Sequence, residues 1–260
     1  MAKVPHISHF DMSTICFGPV TFVGPKKEKV KINVFRDASS TSDSNRFNRV
    51  NLCCDAKQPM FTKYALDSVR EDGNPDRRGL TIRVTDTVTR ETLNALDEMV
   101  IKKAVESSKE WFGKAGKPLP QGLSEDVVRD RYQKLVGIKD DEPIIKVKVK
   151  TGGLYPTTMH LNEDGRFRKH AGKPTHITRD AAVVPIVSLS YGIWIIPGGK
   201  FGLTMQVEEM MITPNESAAD DLSHFASSTP IMMHHQPSPP PPSSEAIMVE
   251  ALPICAEDEE

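Results

Sequence analysis

The C-terminal 47 residues limit the part of this chain that can form a core. From Pro214 to Glu260 there is no Lys or Arg, and prolines and serines dominate residues 237–244. Such a composition buries too little apolar surface to offset the entropy of ordering, and its prolines favour extended polyproline II. The sequence therefore predicts a folded body over residues 1–213 and a disordered Pro/Ser-rich linker and acidic tail over residues 214–260.

The charges are divided unequally between these two parts. The tail holds nine acidic residues, whereas the body holds all 33 basic residues and 26 of the 35 acidic ones, a formal net charge of +7. A basic body with an acidic tail indicates a nucleic-acid partner. Near its end the tail has two short apolar runs, Ile247-Met248-Val249 and Leu252-Pro253-Ile254, followed by four acids: Glu257, Asp258, Glu259 and Glu260. This pattern predicts a short docking peptide for a partner protein; the alternative is a tail that only aids solubility.

Several classes of protein are disfavoured by the same sequence. No window approaches the 18 apolar residues of a membrane span, and the N-terminus lacks the apolar region of a signal peptide. We therefore expect an intracellular protein without membrane contacts. The cysteines at 16, 53, 54 and 255 lack the C-x-x-C spacing of zinc sites. We expect reduced thiols, with Cys53 or Cys54 in the core, and neither a metal nor a cofactor.

Motifs of catalysis are also absent from the sequence. It has no Walker A loop, no G-x-G-x-x-G after a strand, no G-x-S-x-G and no H-E-x-x-H. We interpret Asp140-Asp141-Glu142, before Pro143, as a solvated helix-to-strand loop rather than a metal-ligand set. The sequence thus favours a protein that is not an enzyme.

Hydrophobic periodicity predicts a mainly β body with a helical insertion. Period-2 alternation predicts strands at 29–34, 81–85, 144–150, 183–196 and 203–212, the fourth divided at Tyr191-Gly192. Pro197 to Lys200 is predicted to turn the last two strands into a hairpin. Helical spacing predicts helices over 92–112 and from Ser124, a plausible N-cap, to about Val136, which places the insertion at about 91–136.

Basic and aromatic residues recur on the polar faces of the predicted strands. Lys146, Lys148 and Lys150 alternate with valines and should line one face about 7 Å apart. Single-stranded nucleic acid needs cations along its phosphates and aromatic faces for its bases. We therefore predict phosphate contacts by Lys146, Lys148, Lys150, Arg166, Arg168, Lys169, Lys29, Lys31 and Arg49. We predict base stacking by Tyr155, Phe167 and Phe35. The alternative is an antiparallel sheet with an ordinary solvated face.

The other aromatic residues carry less weight. Trp111 and Phe112 are expected in the core or in helix-capping contacts at the end of a helix. Trp194 has apolar neighbours, which favour burial, and Tyr191 and Phe201 fit either setting.

Two stretches resemble a known family. Glu142 to Val149, with its lysine-alternating strand, and Gly192 to Val207 resemble single-stranded-DNA-binding proteins of large eukaryotic DNA viruses, which are similar to the podophage type. The resemblance implies an OB-fold barrel with a helical insertion. It also implies an acidic tail that competes with DNA and docks replication partners. Phage tails of this type end in an aromatic residue, whereas this chain ends in Glu260.

The sequence and the resemblance together favour sequence-independent binding of single-stranded DNA in viral replication or recombination. The expected location is the nucleus or a cytoplasmic replication site of an infected host cell, and a homodimer is among the forms we consider. The alternative function is a viral structural or scaffold protein that acts through protein–protein contacts. Pro237 to Pro242 also fits an SH3-type ligand.

Overall fold

The computed structural model describes residues 6–26, 28–36, 50–54, 58–66, 76–114, 117–153, 155–170, 177–189 and 191–215. The predicted site residue Arg49 and the predicted partner-binding tail lie outside these ranges, as does Cys255. The described chain folds into two sheets, with three helices between the fifth and sixth strands.

The larger sheet has nine strands, five of which close into a barrel. Its strands are β3 (Asn51–Cys53), β4 (Met60–Thr62), β5 (Arg77–Arg83), β7 (Val136–Lys139), β8 (Glu142–Lys150), β9 (Thr158–Glu163), β10 (Arg166–His170), β11 (Ala182–Ser188) and β14 (Gln206–Thr213). The ring runs β4–β5–β8–β14–β11 and back to β4, and its one parallel contact is β8 with β14. This order, with a mainly antiparallel ladder, is an OB-fold-like barrel. The mainly β prediction is confirmed.

Alternation along the strands fills the barrel. On β5 and β8 the inward residues Leu80, Ile82, Val147 and Val149 are at most 1% exposed. Their sequence neighbours point outward because successive side chains of a strand lie on opposite faces. The lysines of β8 therefore occupy the outer face of the barrel, as predicted.

The smaller sheet has five strands in the order β1–β2–β12–β13–β6. These are β1 (Ile15–Val23), β2 (Lys29–Arg36), β6 (Tyr132–Gln133), β12 (Ile193–Ile195) and β13 (Phe201–Leu203). Two 3-10 turns, Ile7–His9 and Met12–Thr14, precede β1. One face packs on the helices through aromatic contacts: Phe17 on Trp111 at 5.9 Å and Phe112 on Phe201 at 5.2 Å between ring centroids.

The helical insertion begins and ends a few residues earlier than predicted. Helix α1 (Thr87–Glu106) begins before Thr92 because the Asp86 carboxylate caps it, accepting from Val88 N at 3.1 Å and Thr89 N at 2.7 Å. Helix α2 (Ser108–Trp111) follows. Helix α3 (Glu125–Arg131) stops five residues short of Val136, since β6 leaves the helix to pair with β13. Ser124 is the N-cap residue, but its side chain makes no capping hydrogen bond.

The predicted strand over residues 183–196 is two strands in different sheets. β11 belongs to the barrel and β12 to the smaller sheet, and the chain crosses between them at Gly192. Gly192 has φ 75°, and a Cβ there would lie 1.9 Å from the carbonyl oxygen of Ile32. Only glycine fits this close approach. The predicted strand over 203–212 is likewise divided between β13 and β14. The predicted hairpin at 197–200 is confirmed as the β12–β13 pair.

The segment before β8 is a turn between two strands. Asp140 and Asp141 form a turn between β7 and β8 with positive φ, so the predicted helix-to-strand loop joins two strands instead.

Cys16, Cys53 and Cys54 are free thiols, and Cys54 is buried at 5% exposure, which confirms its place in the core. None of the described helices has the length and apolar composition needed to cross a bilayer. In the same ranges no cluster of His, Cys, Asp and Glu is arranged to hold a metal ion.

Candidate nucleic-acid interface

The outer face of β5 and β8 presents a row of cations. Lys146 lies opposite Thr81, Lys148 opposite Gly79, and Lys150 opposite Arg77. Lys146 is exposed, and Lys148 and Lys150 are half-buried.

The row of cations ends at the start of β8, where the basic side chains are paired with carboxylates. Lys63 Nζ lies 2.7 Å from Glu142 Oε2 and 3.0 Å from Asp140 Oδ2, while Arg83 pairs with Glu142 and Asp180. Hydrogen bonds from the Lys63 ammonium hold the pKa of both Asp140 and Glu142 below their ordinary values. Because these carboxylates neutralise Lys63 and Arg83, the net positive charge of this face lies farther along β8.

A second row of outward residues crosses the smaller sheet. From β1 to β6 the register places Thr21, Lys31, Trp194, Gly202 and Gln133 side by side. Residues paired directly across neighbouring strands share a face. Lys31 and Trp194 are therefore neighbours on the face turned away from the helices.

Trp194 is half-buried, and the expectation that it belongs to the core is wrong. Its neighbours Ile193 and Ile195 point inward at 0% and 4% exposure, which leaves Trp194 on the opposite face. A Cβ on Gly202 would lie 2.9 Å from Trp194 Cζ2, so the indole rests directly on the glycine backbone. Only a residue without a side chain leaves room for the ring to lie in this way.

The two rows meet in a cleft of about 650 Å³ at the junction of the sheets. Trp194 lines one side, Lys146 and Lys148 line the barrel side, and Lys134 lies on the connection from β6 to β7. Ile144, Leu203 and Met205 add apolar surface to the lining. The cleft thus combines an aromatic ring, apolar contacts and three ammonium groups.

A buried carboxylate fixes the connection between β6 and β7. Asp97 of α1 is 3% exposed and accepts hydrogen bonds from Tyr132 Oη at 2.7 Å and from Leu135 N. Burial raises the pKa of Asp97 to about 6, although the bonds from Tyr132 and Leu135 oppose the shift. Asp97 thereby positions the segment that carries Lys134.

The structure distributes the other predicted site residues over several surfaces. Lys29 and Phe35 share the outward face of β2 with Lys31, and the Phe35 ring lies against Gly18. Lys150 lies at the far end of β8. Tyr155 is 66% exposed in the loop between β8 and β9.

The predicted cluster Arg166–Lys169 is not part of the cleft. It forms β10, which pairs only with β9 among the described strands and is separated from β8 by β9 and β14. The predicted turn at Asp164-Gly165 is the one that joins β9 to β10. Strand alternation puts Phe167 and Lys169 on one face of the hairpin and Arg166 and Arg168 on the other, where Arg168 pairs with Glu163 at 3.5 Å.

Trp194 and Lys134 are the residues that the sequence interpretation missed. The alternation Ile193-Trp194-Ile195 held the signal for Trp194, since a strand with inward isoleucines turns the residue between them outward. No pattern in the sequence points to Lys134. Helical spacing predicts a helix to about Val136, whereas α3 ends at Arg131, before Lys134.

No family model matches this chain, and no curated protein matches it. Among solved structures it is similar to the single-stranded DNA-binding protein from bacteriophage Enc34 in complex with ssDNA. That match has 9% identity, covers 76% of this chain and 96% of that chain, and has a TM-score of 0.37. It is also similar to gp2.5, a single-stranded DNA binding protein encoded by bacteriophage T7. There the identity is 14%, the coverage 63% of this chain and 90% of that chain, and the TM-score 0.36. At these identities and TM-scores neither likeness assigns a function or a residue to this chain.

Proposed function

We propose that this chain binds single-stranded DNA, without reading its sequence, in the cleft between its two sheets. The observation that carries the proposal is the half-buried ring of Trp194 in the same cleft as Lys146 and Lys148. An aromatic face and a line of cations are the two elements that single-strand binding requires.

The position of the cleft agrees with this function. In OB-type barrels the face of the second and third strands and the loop between the fourth and fifth strands bind oligonucleotides. Here those strands are β5 and β8, and the loop between β11 and β14 contains β12 and β13, with Trp194. The cleft lies where these two parts meet.

The chemistry of the cleft favours single strands of any sequence. In a duplex the faces of the bases are stacked on each other, whereas an unpaired base can place its face on the indole. Lysine ammonium groups bind phosphates and carry no information about the bases. Among the described lining residues, Trp194 offers a π face that accepts every base.

The finer role rests on the family resemblance noted above. It is a role in replication or recombination of viral DNA inside an infected cell, in which the acidic tail modulates binding of DNA and of partner proteins. The surface of the β9–β10 hairpin and the cations Lys29 and Lys31 would lengthen the DNA track.

The test is fluorescence anisotropy of labelled oligo-dT and of a matched duplex, titrated with the full-length protein across a salt series. We expect tighter binding to the single strand and a linear fall of log K with log salt, about 0.7 per phosphate contact. A parallel titration of oligo-rU compares RNA with DNA. Absence of binding by both the full-length and the tail-less protein would reject the proposal and leave the scaffold function as the better explanation.

A further inference from the structure

We propose that Arg77, Lys150 and Tyr191 form a second subsite of this interface, which binds a backbone phosphate of the DNA strand. This inference rests on the proposed function, because the subsite continues the same face of β8 beyond the cleft. The β8 strand rises about 13 Å from Lys146 to Lys150.

The three side chains gather where β5 ends against β8. Arg77 and Lys150 are direct cross-strand partners. Tyr191, in the loop after β11, is half-buried between them: Lys150 Nζ lies 5.0 Å and Arg77 Cζ 5.9 Å from the centroid of its ring. Tyr191 therefore holds two cations close together, Lys150 at its hydroxyl oxygen and Arg77 near its ring.

The hydrogen bonds of Tyr191 leave its hydroxyl as a donor. Its oxygen accepts from Lys150 Nζ at 2.5 Å and from Gln206 Nε2 at 2.8 Å. Gln206 is 1% exposed, so this amide fixes the phenol from the core side. With two donors on its oxygen, the hydroxyl hydrogen needs an acceptor, and within the described part of the chain no hydrogen bond donated by Tyr191 is formed.

The subsite presents donors and positive charge, and the carboxylate of Asp76, the residue before Arg77, lies against Gly152. Neither Arg77 nor Lys150 forms an ion pair within the described residues, whereas Arg83, at the other end of β5, pairs with Glu142 and Asp180. An ammonium, a planar guanidinium and a hydroxyl donor are together suited to the oxygens of a phosphate group. A phosphodiester on a strand that leaves the cleft along β8 supplies this group.

The experiment compares salt slopes for oligo-dT among single variants of the full-length protein. Arg77→Gln and Lys150→Gln each remove one charge, and we expect each to lower the log–log slope by about 0.7. Tyr191→Phe removes a hydroxyl but no charge. It should weaken binding about tenfold at an unchanged slope, as for the loss of one hydrogen bond to a charged group.

The matched control is Lys102→Gln on the exposed side of α1, which removes the same charge from a helix outside the cleft lining and the subsite. We expect wild-type affinity and slope for this variant. Thermal unfolding of each variant checks that the fold is kept, because Tyr191→Phe also removes an acceptor from buried Gln206.

The outcomes separate the two proposals. Steep, salt-dependent binding by the wild type, with unchanged slopes in Arg77→Gln and Lys150→Gln, would overturn the subsite and leave the proposed function standing. A wild type that binds no oligo-dT overturns both. Titrations of the wild type and of Arg77→Gln in potassium phosphate and in potassium chloride, at equal ionic strength, test whether the subsite recognises a phosphate group. Stronger displacement of oligo-dT by phosphate in the wild type than in the variant supports the subsite, and equal displacement by the two salts in both proteins would argue against it.

Discussion

The two tryptophans of the chain occupy different environments. Trp111 is 3% exposed and packs on Phe17 in the core, whereas Trp194 is half-buried and lines the cleft. The chain has only these two. A change in tryptophan fluorescence that accompanies DNA binding therefore reports on Trp194, because the core ring has no access to the strand.

Replacing Trp194 by Leu removes the stacking surface but keeps an apolar side chain. Stacking of a base on an aromatic ring contributes about 1–3 kcal/mol, so we expect oligo-dT binding to weaken about 5- to 150-fold. The salt slope should stay the same, since no charge changes. Trp194→Phe is the control that keeps an aromatic face and should retain most of the affinity. Anisotropy titrations measure both, and wild-type affinity in Trp194→Leu would show that no base stacks there.

Asp97 gives the stability of the protein a pH dependence of its own. Its folded-state pKa of about 6 lies above its ordinary value of 3.8 because the carboxyl is buried. The folded state therefore holds this proton more tightly than the unfolded state. The stability that the group contributes is complete below about pH 4 and is lost as the pH rises through about 6.

The comparison of wild type with Asp97→Asn isolates this effect. Asparagine does not titrate, so the difference in unfolding free energy, wild type minus variant, should rise by about 1 kcal/mol from about pH 8 to about pH 5. Urea unfolding at both pH values measures it. Ion-paired carboxylates such as Glu142 have lowered pKa values, so the pH dependence that they give to stability lies below this pH range. A difference that is constant with pH would mean that Asp97 does not titrate there.

At the scale of elements, β8 carries the electrostatic part of the proposed interface. Lys146→Gln combined with Lys148→Gln should lower the log–log salt slope for oligo-dT by about 1.4, two contacts at about 0.7 each. The control, Lys102→Gln with Lys109→Gln, removes two exposed lysines from α1 and α2 and should leave the slope unchanged. Equal slopes in the two double variants would place the phosphate contacts elsewhere.

Local patterns predicted the elements whose structure depends on neighbours in sequence. The alternation of β8 and β2 and the turn of the β12–β13 hairpin are such cases. The division between the two sheets at Gly192 depends on contact with Ile32, far away in sequence, and no local pattern contains it. The end of α3 is similar, because the pairing of β6 with β13 decides it.

The candidate site was predictable to the same extent. Lys146, Lys148 and Lys31 follow from alternation, which determines the face of a residue within its own strand. The meeting of two faces in one cleft depends on the order of the strands in the sheets. The sequence therefore does not predict that the face of Lys31 and Trp194 adjoins the face of Lys148. The cations of β10 show that such a pattern is not sufficient. Their segment has the predicted alternation of basic and aromatic residues, yet it lies on a separate hairpin outside the cleft.

At the scale of the whole molecule, charge is separated between a basic body and an acidic tail. The sequence beyond residue 215 holds nine acidic residues and no Lys or Arg, and the cleft and the subsite concentrate ammonium and guanidinium groups on one surface. A tethered polyanion raises the local concentration of competing negative charge at such a surface. Because this attraction is electrostatic, it weakens as salt shortens the Debye length from about 10 Å at 0.1 M to about 3 Å at 1 M.

Removing residues 216–260 should therefore strengthen oligo-dT binding at low salt, and the gain should vanish as salt rises. The truncation keeps every described residue, including all of β14. The control is a tail of full length in which the nine acids are replaced by Gln or Asn, so that chain length is kept and charge is removed. Competition by charge predicts that this variant binds like the truncated protein. If it binds like the wild type and only truncation strengthens binding, the tail acts by occupying space, and equal affinity of all three proteins would argue against any inhibition by the tail.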